Sequence, residues 1–242
     1  MHMRDKYRDG LRTLVEPALR DLGFKGGRGR WSIASPQTRD MGLVEFQSDH
    51  PKHMDVASFT VNIGIVAAPI EDFYAYRSGG KRRPARALDG IWSRRLTPGD
   101  SWWMCQPTSP TATSVPAPPE LRLHWWGAAT EAHLACAFED VMKQLETDAA
   151  PQLRRLLDRH ELIASIEAGL DEDADRAGSL RHLALLFADE GRTKDDERVL
   201  TAAANDPHGT ASSRNQARAS QKTLYAWIRD STVVGHADGE SG

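Results

Sequence analysis

Residues 56–66 read VASFTVNIGIV and form the clearest strand pattern in the chain. Apolar side chains occupy every second position from Ala57 to Ile65, and the positions between them are small or polar. Successive side chains of a strand point to opposite faces, so this alternation is typical of a sheet with one buried face. We predict a long strand here, with Thr60 and Asn62 on its polar face.

The neighbouring sequence predicts a sheet around this strand. Further strands are predicted at 30–34, 42–48, 90–97, 101–106 and 121–126. The connections between the first three strands are short, which favours an antiparallel meander. The segment 107–119 is rich in proline, serine and threonine, and we predict an irregular loop because proline cannot donate a hydrogen bond to a sheet.

Helical periodicity lies on both sides of the predicted sheet. Apolar residues from Tyr7 to Leu22, including Leu14, recur at spacings of three and four, and Gly23 is expected to end this helix. After Gly127 helical patterns continue to Arg229. We predict an α+β fold, a mainly antiparallel sheet with flanking helices, followed by an all-helical C-terminal half. The predicted domains are a sheet domain over 1–127, helices packed on it over 128–230 and a disordered tail over 231–242.

Composition excludes several classes of protein. The chain has 242 residues, a net charge of -3 and two cysteines, which are too few for a disulfide framework. It has no run of about 18 apolar residues, as a membrane span needs. No apolar signal segment follows Met1, so we expect a cytoplasmic protein that does not engage a membrane.

Several short motifs match those of one family. They are Leu22-Gly23-Phe24-Lys25, Trp31, Val44-Glu45-Phe46-Gln47, the more specific segment 59–65, Arg94 or Arg95, and Trp102-Trp103. In these motifs the chain resembles a bacterial domain-of-unknown-function family, family 4304, over residues 1 to about 170. The resemblance implies the α+β fold and transfers no catalytic or binding residue.

One loop carries side chains that bind zinc in other proteins. His50 and His53 are spaced as a pair, with Asp49 and Asp55 beside them. Zinc takes three or four such ligands in tetrahedral geometry. A solvated polar turn explains the same residues, and we predict neither a metal nor a cofactor.

Catalytic motifs are missing from the sequence. It contains no nucleophile elbow and no phosphate-binding loop, and Cys105 and Cys136 are expected to be buried thiols. The glycine-rich segment 26–29 follows a helix and precedes a strand, the reverse of a phosphate loop, so we interpret it as a flexible turn. We predict no catalytic residue; whether the protein is an enzyme stays open, and we favour a protein that is not one.

Basic and aromatic residues concentrate in the first 130 residues. The basic ones are Arg77, Lys81, Arg82, Arg83, Arg86, Arg94 and Arg95, and six of the seven tryptophans, Trp102 among them, share this region. Arginine and tryptophan are frequent anchors of protein interfaces, and they also bind phosphates and bases. The simpler interpretation is a tryptophan-filled core beside a solvated basic loop.

The polar face of the long strand is the second candidate binding region. Thr60 and Asn62, with Gln47 and Glu45 on the neighbouring strand, are expected to line a shallow polar groove where amides orient a ligand. An exposed sheet face with no ligand explains the same residues.

These patterns favour a non-catalytic module that binds a macromolecule. An acidic protein is favoured over nucleic acid as the partner. The candidate binding residues are Gln47, Thr60, Asn62, Arg82, Arg83, Arg86, Arg94 and Trp102. One alternative is an enzyme for a small polar or phosphorylated substrate, in a pocket lined by Gln47, Asn62, Arg94 and Trp102. A second alternative is a nucleic-acid-binding protein.

Overall fold

The computed structural model describes residues 2–49, 56–81, 84–99, 125–170, 176–206, 215, 218, 219 and 221–230. The chain divides into two compact units. The first comprises Met1–Ile65 and Arg86–Leu157, and the second comprises Val66–Ala85 and Asp158–Gly242. The predicted domain boundary after residue 127 stays a prediction. The first compact unit, by comparison, ends at Leu157. The predicted tail lies outside the described residues.

Helices account for most of the described residues. In chain order they are α1 (Met3–Gly10), α2 (Glu16–Asp21), α3 (Ala68–Arg77), α4 (Glu131–Gln144), α5 (Ala150–Leu156), α6 (Arg159–Gly169), α7 (Arg176–Asp189) and α8 (Thr193–Ala204), and residues 221–230 are also helical. A π-helical turn over Leu11–Val15 joins α1 to α2, and another over Leu145–Ala149 joins α4 to α5. None of the described helices is long and apolar enough to cross a membrane.

The strands form one sheet. They are β1 (Lys25–Gly27), β2 (Arg30–Ala34), β3 (Met41–Asp49), β4 (Ala57–Val66), β5 (Trp92–Arg95) and β6 (Trp126–Ala128). Their order is β1-β2-β3-β4-β5, and β6 also pairs with β4, antiparallel to the first three residues of that strand. This antiparallel sheet and the mostly helical C-terminal half confirm the predicted fold class.

The core of the first unit is a cluster of aromatic rings around Phe59 on β4. The ring of Phe59 lies 5.2 Å from Tyr7 of α1 and 5.6 Å from both Trp126 of β6 and Phe138 of α4, measured between centroids. Phe46 of β3 lies 5.9 Å from it. Offset and edge contacts between rings add to the free energy of apolar burial, so one side chain joins helix and sheet.

The first helix confirms the predicted periodicity with one correction. Its buried residues Tyr7, Leu11, Val15 and Leu19 are each four apart, whereas Leu14 is 51% exposed. In a regular α-helix, side chains spaced four residues apart are rotated by roughly 40° from one to the next around the axis. The π-turn winds more slowly and offsets this rotation, which removes Leu14 from the buried stripe.

The end of this helix follows the prediction. Gly23 adopts a φ of +80°, and the N–H of Phe24 donates to the carbonyl of Leu19. Phe24 is buried. Such a cap satisfies the last carbonyls of the helix and directs the chain into β1.

The second unit is helical in its described part. Helices α7 and α8 pack on each other, and α3 packs on α7. Leu183, Leu186 and Phe187 of α7 are fully buried. Asp196 of α8 is also buried, and desolvation raises the pKa of its carboxyl group.

The strands predicted at 30–34, 42–48, 56–66 and 90–97 match the structure within one or two residues, whereas the one predicted at 121–126 is observed as Trp126–Ala128. A predicted turn also differs. The segment 26–29 is not simply a flexible turn, because Gly26 and Gly27 belong to β1 and pair with β2. The predicted strand at 101–106, the loop at 107–119 and residues 121–124 lie outside the described residues, as do His50, His53 and Asp55 of the predicted polar turn.

A substitution at Gly64 tests the packing of β4. A Cβ atom at Gly64 would lie 2.1 Å from the carbonyl oxygen of Ala87, which begins a 3-10 turn over Ala87–Asp89. We expect Gly64→Ala to lower the free energy of unfolding by about 2 to 3 kcal/mol in urea titrations, because backbone must move. Gly127→Ala is the matched control, since its Cβ would meet nothing within 4 Å. Equal stability of the two variants would contradict this packing.

Candidate functional site

The predicted polar groove is not open to solvent. Thr60 and Asn62 are both fully buried, and Gln47 is half-buried. Every residue of β4 except Ser58 is buried, so both faces of this strand are covered. The expectation of one buried and one open face is therefore wrong. Asn62 and Gln47 have hydrogen-bond partners inside the protein, whereas the hydroxyl of Thr60 is buried without one in the described part of the chain.

A short chain of hydrogen bonds crosses three strands on this face. The Nδ2 of Asn62 donates to Oε1 of Gln47 at 3.4 Å, and the Nε of Arg95 donates to Oδ1 of Asn62 at 3.0 Å. Burying an amide without partners costs free energy, so these contacts make the buried position of Asn62 possible.

The four residues of the predicted enzyme pocket do not come together. Asn62 pairs in register with Arg95, and Ile63 pairs with Arg94, so Asn62 and Arg94 point to opposite faces of the sheet. Arg94 instead donates to Asp148 at 2.5 Å. Trp102 lies outside the described residues.

Arg86 belongs to an ionic cluster centred on Glu45. The carboxylate of Glu45 accepts a hydrogen bond from Arg30 at 2.8 Å and from the backbone N–H of Ala87 at 3.3 Å, and it lies 3.5 Å from Arg86. Glu45 is only 7% exposed. This cluster attaches the segment after residue 84 to the sheet, and Arg82 and Arg83 lie outside the described residues.

A cleft of about 730 Å³ opens in the first unit between the first helix and the β1–β2 hairpin. This volume lies within the range of roughly 300 to 1,000 Å³ that is usual for ligand sites. The lining residues come from α1, the π-turn, α2, the hairpin, β2 and β3, and they are Tyr7, Arg8, Leu11, Arg12, Glu16, Gly27, Arg28, Gly29, Trp31, Phe46 and Ser48.

Positive charge dominates the mouth of this cleft. Arg8 on the helix and Arg28 on the hairpin are exposed, and neither forms an ion pair within the described residues. Arg12 donates to Asp9 at 2.6 Å, and this bond raises the pKa of Arg12. Two unpaired cations therefore face the cleft from opposite sides.

Glu16, the single carboxylate among the lining residues, is already paired with an arginine of its own helix. Glu16 forms an ion pair with Arg20, one helical turn further along. This intrahelical pair holds the charge of Glu16 against its own helix. Glu16 is thus partly neutralised, and the mouth keeps its positive character.

The floor of the cleft is apolar and aromatic. Tyr7, Leu11, Trp31 and Phe46 are all buried, and the rings of Trp31 and Phe46 meet edge to face at 5.6 Å. Burial raises the pKa of the Tyr7 phenol, so it stays protonated. The indole Nε1 of Trp31 is buried and has no hydrogen-bond partner in the described part of the chain.

The hairpin places Arg28 by an uncommon backbone conformation. Gly27 pairs with Arg30, which leaves a two-residue loop of Arg28 and Gly29 with φ values of 55° and 88°. Positive φ at both positions is what a type I′ hairpin turn requires. An arginine is strained in this conformation, where asparagine, aspartate or glycine is preferred, which points to a role for its side chain.

The sequence alone does not reveal Arg8, Arg12 and Arg28 as a group. They are separated by up to 20 residues, and a sequence pattern does not show that a helix and a hairpin meet around them. The available signal was the segment Gly26-Gly27-Arg28-Gly29, in which an arginine stands among residues that favour turns.

Metal and thiol chemistry find no support among the described residues. No three histidine, cysteine, aspartate or glutamate side chains gather there in a way that would hold a metal ion. Cys136 of α4 is half-buried rather than buried, and Cys105 lies outside the described residues. The arrangement is suited to holding an anionic group at the mouth of the cleft.

Substitution of Glu45 tests whether this residue acts as a structural anchor. We expect Glu45→Ala to lower the free energy of unfolding by about 2 kcal/mol, because two half-exposed arginines and a backbone N–H lose their partner. Glu45→Gln should cost less, since the amide oxygen still accepts. Glu146→Ala, at an exposed position, is the control, and an equal effect of both alanine variants in chemical denaturation would contradict the assignment.

Comparison with known proteins gives one match. The model of the family described as a domain of unknown function, DUF4304, matches residues 15–155. No curated protein and no solved structure matches the chain. The matched segment contains the six described strands and stops two residues before the first unit ends at Leu157. The chain is therefore a member of the DUF4304 family.

Proposed function

We propose that this protein is a non-catalytic binding module that recognises an acidic segment of a partner protein at its arginine-lined cleft. The observation that carries this proposal is a pair of exposed arginines, Arg8 on the helix side and Arg28 on the hairpin side of the cleft, neither of which forms an ion pair within the described residues. An apolar centre with a polar, charged rim is the usual anatomy of a protein interface.

The residue types of the cleft agree with a protein partner. Arginine, tryptophan and tyrosine supply most interface hot spots, and all three line this cleft. The arginines keep their contact with water, whereas sites for small polar molecules usually enclose their charged groups. An extended acidic segment would reach both arginines without complete burial.

The basic stretch of the sequence contributes less than expected to this proposal. Arg86 is held by Glu45, Arg94 by Asp148, and Arg95 donates to Asn62. Each of these arginines therefore contacts a partner within the fold, which makes it a weaker candidate for binding another molecule. Arg82 and Arg83 stay predicted contributors to binding, and so does Trp102.

The two alternatives are now less favoured. The enzyme alternative has less support, because Asn62 and Arg94, two residues of the pocket it requires, point to opposite faces of the sheet. The nucleic-acid alternative uses the same arginines and predicts a steep fall of affinity with salt. A bacterial source and a cytoplasmic location remain proposals.

Charge reversal tests the proposed function. The probe is a fluorescein-labelled peptide of ten residues, all glutamate or aspartate apart from glycine spacers, and binding is followed by fluorescence anisotropy at physiological salt. We expect Arg8→Glu and Arg28→Glu each to weaken binding about tenfold, because each replaces an attraction by a repulsion. Lys194→Glu in the second unit is the matched control and should change nothing.

Two outcomes would overturn the proposal. The first is an affinity that stays unchanged in the double variant while circular dichroism shows a folded protein. The second is a labelled single-stranded oligonucleotide that binds more tightly than the peptide and loses affinity steeply as salt rises, which would establish the nucleic-acid alternative.

A further inference from the structure

We infer that the segment recognised by this cleft carries an aromatic side chain between its acidic residues. The aromatic ring enters between the first helix and the β1–β2 hairpin, and the flanking carboxylates pair with Arg8 and Arg28. This inference rests on the proposed function and names the chemistry of its partner.

The size and lining of the cleft indicate more than a charge contact. About 730 Å³ of space lies below arginines that are themselves exposed, so carboxylates paired at the mouth would leave the floor unfilled. That floor is apolar, with Leu11 and Phe46 buried. The open space is thus bounded by apolar residues that keep only a small part of their surface exposed, and an apolar group of matching size fills it without leaving a polar group unpaired.

The floor favours a ring over an aliphatic chain. Tyr7, Trp31 and Phe46 supply three aromatic side chains, and Trp31 meets Phe46 edge to face at 5.6 Å. Such rings offer both faces and edges, and a further ring packs on them in the offset or perpendicular geometry that aromatic pairs prefer. A guanidinium group also stacks on aromatic faces, so Arg8 and Arg28 are suited to contact an inserted ring.

Trp31 is the most buried of the aromatic residues that line the cleft. It is 1% exposed, it lines the cleft, and its indole N–H has no partner within the described residues. Buried donors are almost always hydrogen-bonded. Because the nitrogen is itself buried, the unpartnered N–H belongs to the interior of the floor and is not a contact offered to the segment.

Three peptides of equal charge test the inference. Each is a labelled seven-residue glutamate peptide whose central residue is tryptophan, leucine or alanine. We expect the tryptophan peptide to bind about tenfold more tightly than the alanine peptide, with the leucine peptide between them. All three should depend equally on Arg8 and Arg28.

A cleft-filling variant gives an independent readout. Ser48 is exposed and lines the cleft, so Ser48→Trp is expected to occupy the space and abolish the preference for tryptophan, while arginine-dependent binding remains. Ser93→Trp, at an exposed position of β5 away from the cleft lining, is the control and should keep the preference.

The outcomes separate the inference from the proposed function. Equal affinities for the three peptides, all lost in the double arginine variant, would overturn the inference and leave the proposed function standing. Absence of binding by every peptide would overturn both. Indole-3-acetate serves as a small-molecule arm, and tighter binding of this acid than of the tryptophan peptide would assign the cleft to a small aromatic anion instead.

Discussion

The first unit depends on the burial of Phe59 at the middle of the aromatic cluster. Its ring contacts α1, β3, β6 and α4 at once, so four elements that are distant in the sequence share one side chain. Large aromatic side chains contribute the most burial per residue, and their loss leaves a cavity that neighbouring rings fill poorly. The position of the first helix, and therefore one wall of the cleft, follows from this contact.

The opposite face of the sheet is stabilised by polar contacts. Asn62 is held by Gln47 and Arg95, and Glu45 is held by two arginines and a backbone N–H. Each buried polar group needs its partners, so this face constrains the strands as strictly as the apolar one. Gln47 and Asn62, which were predicted to line a binding groove, instead hydrogen-bond within the fold. Alternation in the sequence does not distinguish an amide that binds a ligand from one that stabilises the sheet.

The cleft arises where two local irregularities meet. A π-turn adjusts the first helix beside it, and a type I′-like loop places Arg28 on the other side. Both features depart from regular structure, and both bring arginines to the mouth of one space. Departures from regular backbone are common at functional sites, which agrees with the assignment of binding to this region.

The sequence by itself determined the local elements and the fold class. Alternation over 57–65 predicted β4, the four-residue apolar spacing from Tyr7 predicted the first helix, and Gly23 predicted its end, because these signals depend on neighbours within one or two turns. The tertiary structure alone decided that Thr60 and Asn62 are buried, that Arg94 and Arg95 serve opposite faces, and that Arg8, Arg28 and Trp31 share a cleft. Those facts depend on strand register and on packing between elements far apart in the chain, and neither is encoded in the period of a single segment.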